Sequence, residues 1–60
     1  MSQVYNPETE VMAEIERLEL DVRDTLRRVE RSRDAEDKRV LNRQIKELED
    51  RIRYLRGRLP

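Results

Sequence analysis

Sixty residues make at most one small domain, in which charged side chains are 47% and hydrophobic ones 35%, with a net charge of zero. The chain has no Cys and no His, which excludes disulfides, thiolate or imidazole metal sites and imidazole acid–base catalysis. No apolar run approaches the ~20 residues that span a bilayer, and the opening MSQVYNPETE lacks the basic start and apolar core of a secretory leader; the expected setting is cytoplasmic or inside a virion-like particle.

Residues 1–6 read as an irregular tail. Its apolar members, Val4 and Tyr5, either stay local or form a short docking peptide for a groove on a neighbour. A hydrophobic staple would need an apolar partner at residue 10, which is Glu10. Asn6-Pro7-Glu8 is a helix start: Asn6 caps, Pro7 suits the first helical position, and Glu8 and Glu10 favour the positive end of the dipole.

The first helix is expected from about Pro7 to about Arg31. Its seam is Val11, Ile15, Leu18, Val22, Thr25 and Val29, spaced by alternating steps of four and three, which keeps one face toward a partner helix. Met12 and Leu26 lie on the edge of that seam, and Leu20 lies on the back.

The turn is expected at about residues 32–34, because Arg31-Ser32-Arg33-Asp34 carries no large apolar side chain. Asp34 is the expected cap of the second helix, with Glu36 and Asp37 in its first turn and Ser32 as a competing cap. The phase of the heptads requires a break here. Continuing the position shared by Ile15, Val22 and Val29 leads to residues 36 and 43, whereas the second stripe has Lys38, Ile45 and Ile52 in that role. Two residues are roughly 200° around a helix, so one straight rod would carry its stripes on nearly opposite sides.

The second helix is expected over about residues 35–56, with the seam Leu41, Ile45, Leu48, Ile52, Leu55 and Leu59 and with Val40 and Tyr54 on a flank. Gly57 is placed to end it in a left-handed conformation, so that residues 57–60 form a cap closed by Pro60. Folded back on the first helix, one register pairs Val11 with Leu55, Ile15 with Ile52, Leu18 with Leu48, Val22 with Ile45, Thr25 with Leu41 and Val29 with the stem of Lys38. Flanking charges pair as Glu14 with Arg51 and Arg28 with Asp37, while Glu19 falls near Glu49. Residues 1–26 hold seven acids and two bases, and residues 27–60 hold seven acids and twelve bases. A hairpin lays the acidic start beside the basic end.

The fold class is therefore all-α: an antiparallel, coiled-coil-like helical hairpin over residues 7–60. A lone hairpin leaves half of each seam wet, and a chain this short needs a staple. Met12, Leu26, Val40 and Tyr54 widen the apolar face, so two hairpins are expected to dimerise into a four-helix bundle. In length and heptad layout this resembles in outline the small dimeric RNA-binding hairpin proteins that control plasmid copy number; no residue or activity is carried over from them. The β-branched first seam positions keep a second architecture open, a helix broken near Ser32 whose segments pair with different neighbours in a larger assembly.

No residue pattern points to catalysis. The carboxylates sit among arginines on solvent faces, no Gly-rich phosphate loop occurs, and Ser2 and Ser32 have no base partner. The expected function is a non-enzymatic protein–protein interaction module, a small structural, adaptor or assembly subunit of a phage particle or multi-subunit complex. Its partners are itself and a larger protein assembly, with no cofactor, small-molecule substrate or membrane. The self-association seam is Val11, Ile15, Leu18, Val22, Val29, Leu41, Ile45, Leu48, Ile52 and Leu55. The alternative is an RNA- or DNA-binding hairpin using Arg27, Arg28, Arg31, Arg51, Arg53 and Arg56. Acids are interleaved with these, and only Tyr5 and Tyr54 could stack on bases.

Overall fold

The computed structural model describes residues 7–60; the expected cap Asn6 and the candidate docking residues Val4 and Tyr5 lie outside the described residues. Two helices, α1 (Pro7–Arg31) and α2 (Ala35–Gly57), pack against each other along their length. The protein is an all-α helical hairpin. Pro7 opens α1, Glu8 and Glu10 occupy its first turn, and Arg28 and Arg31 occupy its last, so both ends of the helix dipole meet favourable charge.

The turn is built by two short polar side chains with different tasks. The Ser32 amide donates to the carbonyls of Arg28 (2.9 Å) and Val29 (3.2 Å) and so closes α1. The Ser32 hydroxyl accepts from the Asp34 amide and donates to the Asp34 carbonyl, both at 3.3 Å. Asp34 is extended (φ −101°, ψ 123°), and its carboxylate accepts from the Glu36 amide at 3.1 Å. Asp34 is thus the cap of α2, and Ser32 braces the turn rather than competing for that role.

The other end of α2 differs from the sequence expectation. Gly57 remains helical, no described residue has a positive φ, and Arg58 ends the helix at φ −86°, ψ −14°. The Arg58 amide donates to the Leu55 carbonyl (3.0 Å) and the Leu59 amide to the Arg56 carbonyl (3.2 Å), a tightened last turn. The reason lies in Leu59, which is half-buried and packs on the core. Continuing the right-handed turn puts it four residues after Leu55 on the same face; a left-handed Gly57 would swing it away.

Ile15, Ile52 and Leu55 form the centre of the core, with Val11, Leu18, Val22 and Leu59 packed around them. Leu55 is 1% exposed. The helices slide by about half a heptad relative to the expected register. Val22 lies seven residues from Ile15, roughly 10 Å along the axis, so it reaches this cluster through Ile52 and Leu55 rather than through its own helix. Glu19 is bridged to Arg56, not set beside Glu49 alone, while Glu14 is bridged to Arg51. These two contacts are staggered in opposite directions, and the register midway between them sets Ile15 level with Leu55, Leu18 with Ile52, Val22 with Leu48, Thr25 with Ile45 and Val29 with Leu41. Lys38, expected beneath Val29, is exposed. Reversing one chain turns its three-then-four spacing around, and only by matching a three-step with a three-step does every layer stay level.

Replacing Asp34 by Ala removes the side-chain acceptor for the Glu36 amide. The expected loss is about 1 kcal/mol of stability, read from urea melts followed by circular dichroism, with Asp34→Asn close to the parent.

Candidate association interface

The hairpin, about 37 Å of helix in length, is two helices wide and one helix thick, with short Cα extents of 21 and 12 Å. Each seam therefore meets one neighbouring helix and is open above and below it. Of the expected seam, Ile15, Ile45, Ile52 and Leu55 are buried, and Val11, Leu18, Val22, Val29, Leu41 and Leu48 are only half-buried. Leu59 is half-buried as well. It belongs to the heptad stripe and packs on the core at the end of a helix that continues through Gly57.

Thr25 is the one polar side chain buried in the seam, 8% exposed. Its hydroxyl donates to the Asp21 carbonyl at 2.7 Å, and no buried side-chain polar atom among the described residues lacks a partner. The helix thus satisfies the hydroxyl locally, and the seam tolerates it.

Two grooves run along the slab, one on each broad face. The first has Val22 and Ile52 at its floor, with Glu19, Arg23, Glu49, Arg53 and Arg56 as walls. The second has Leu18, Thr25 and Leu48 at its floor, with Asp21, Asp24, Arg28, Glu47 and Arg51 among its walls. Each groove is bridged by an ion pair between the helices: Glu19 with Arg56 on the first, Glu14 with Arg51 (3.4 Å) on the second. Arg53–Asp50 (3.1 Å) and Arg27–Asp24 (3.8 Å) lie within single helices. Such solvent-facing pairs contribute ~0–1 kcal/mol each and mainly fix orientation. The expected pair Arg28–Asp37 does not form, although both side chains line a hollow at the turn.

The side chains expected to widen the apolar face do not share one face. Met12, Leu26, Val40 and Tyr54 are 45–57% exposed, as is Leu20 on the back of α1. Met12 and Leu26 share the heptad edge of Glu19 beside the first groove. Val40 lies in the turn hollow with Arg28, and Tyr54 sits beneath the Arg51 guanidinium, 5.4 Å from ring centroid to Cζ. The edge positions of α1 and the flank positions of α2 point to opposite faces of the slab, so the expected widening is divided between them.

The basic candidates are likewise dispersed. Arg27, Arg51, Arg53 and Arg56 each hold a carboxylate. Arg28 and Arg31 make no ion pair among the described residues and line the turn hollow with Arg33, Asp34 and Asp37. No described helix is long and apolar enough to cross a membrane.

Thr25→Val keeps the volume of the side chain and replaces a locally satisfied hydroxyl with a methyl in the seam. The expected outcome is a gain of up to ~1 kcal/mol, measured as a higher midpoint in thermal melts. A loss of stability would show that the hydroxyl does more than bond its own helix.

No family model matches this chain, and no curated protein or solved structure is similar enough to match it.

Proposed function

We propose that this chain is a non-enzymatic association module whose hairpins pair face to face into a four-helix bundle, acting as a small structural, adaptor or assembly subunit. The observation that carries the reading is a slab one helix thick whose seam residues Val11, Leu18, Val22, Val29, Leu41 and Leu48 stay half-exposed. Below about 70–80 residues a single apolar core supplies little stability by itself, and a two-helix slab encloses almost no interior. A second layer would complete the burial of those residues. Such a paired module suits a phage particle or another multi-subunit complex.

A second reading is binding of RNA or DNA. It is favoured by Arg28, Arg31 and Arg33 around the turn, of which Arg28 and Arg31 make no ion pair among the described residues. Against it stand the acids Asp34 and Asp37 in the same hollow and a net charge of zero.

Sedimentation equilibrium and circular dichroism on one concentration series test the first reading. The expected result is a dimer whose helicity falls on dilution, and a Val22→Asp variant with both helicity and association abolished. Compact, fully helical monomers at every concentration would argue against it. The nucleic-acid reading expects instead an affinity that drops steeply with added salt.

A further inference from the structure

We infer that the second copy docks on the groove lined by Glu19, Val22, Arg23, Ile52, Arg53 and Arg56, with its turn at the same end of the bundle as the turn of the first. This arrangement rests on the self-association reading and specifies its geometry. The broad face, about 37 Å of helix by 21 Å across, is comparable with the ~800 Å² per partner that a stable interface buries, so one face suffices for one copy.

The signs of the groove walls select the arrangement. The heptad edge of α1 on this face carries Glu16, Glu19 and Glu30 with a single base, Arg23. The matching edge of α2 carries Arg39, Lys46, Arg53 and Arg56 with a single acid, Glu49. With both turns at one end, the two-fold axis runs along the bundle and every residue keeps its height. Each α1 then lies antiparallel to the partner's α2, at the level it already shares with its own. Glu16 and Glu19 meet the partner's Arg53 and Arg56, Arg23 meets the partner's Glu49, and Glu30 meets the partner's Arg39. Arg23 also approaches the partner's Lys46 and Glu19 the partner's Glu49, the two like-charge contacts along this edge.

Turns at opposite ends give worse electrostatics. Where like helices face each other, the mostly acidic edge of α1 meets itself and the mostly basic edge of α2 meets itself. Like charges held face to face across an interface select against an orientation more strongly than exposed pairs select for one. Met12 and Leu26, on the α1 edge of this face, are covered in the favoured arrangement by the partner's α2. Leu20, Val40 and Tyr54 remain outside.

The absence of native Cys allows a single spin label at Arg33→Cys, on the exposed turn. In the dimer, the same-end arrangement places the two labels within about 25 Å, roughly two helix diameters. The opposite-end arrangement places them beyond about 35 Å, the length of α2. Pulsed dipolar spectroscopy reads that distance directly. As a second readout, Glu16→Arg alone and Arg53→Glu alone should each weaken dimerisation roughly tenfold over the two symmetry-related contacts, and the double variant should recover it. A dimer with distant labels, or a double variant weaker than either single one, overturns the arrangement and leaves self-association standing. A chain that sediments as a monomer at every concentration overturns both. A chain that assembles only when RNA is added assigns the groove to nucleic acid and overturns the docking of a second copy.

Discussion

Everything in this hairpin depends on two narrow apolar stripes that one continuous helix would hold on opposite sides. Each stripe is wide enough to face a neighbour and too narrow to be left in water along its length. Breaking the chain at Ser32–Asp34 brings the stripes together, and the cost of the break is offset locally. Ser32 ends α1, Asp34 begins α2, and both use their own side chains to satisfy amides that the interrupted helix would otherwise leave unpaired. The turn needs neither Gly nor Pro, because capping rather than backbone freedom defines it.

The same constraint explains why the molecule encloses so little. Two helices side by side form a layer 12 Å thick, and a layer has two faces. Ile15, Ile52 and Leu55 are sheltered where the helices touch, but Val22 and Leu48 each open onto a groove. Charged side chains then serve two ends. Arg51 and Arg56 line the grooves, and their guanidinium groups, bridged to Glu14 and Glu19, tie the two helices together. The interaction energy of such exposed pairs is small, so the apolar seam sets stability and the charges set geometry.

Register and termini illustrate how spacing translates into contact. A heptad read in one direction suggests pairing like positions with like, Ile15 with Ile52. Antiparallel helices reverse the order of the three- and four-residue steps, and level layers then require unlike positions to meet, Ile15 with Leu55. Glu19 is bridged by Arg56, although Glu49 lines the same groove. The extension of α2 through Gly57 follows from the same demand, since only a helical Gly57 returns Leu59 to the seam. Glycine permits a left-handed cap and does not impose one.

The sequence by itself determined the two helices, the position of the break, the capping by Asp34 and the identity of the buried layer. These are set by heptad phase, by dipole-matched charge at the helix ends and by short polar side chains, all local along the chain. Only the tertiary structure decided the sliding register, the fate of Gly57 and the separation of Met12 and Leu26 from Val40 and Tyr54 on different faces. Each of those depends on how one helix is placed against the other, and periodicity within a helix defines a face without defining what stands opposite it.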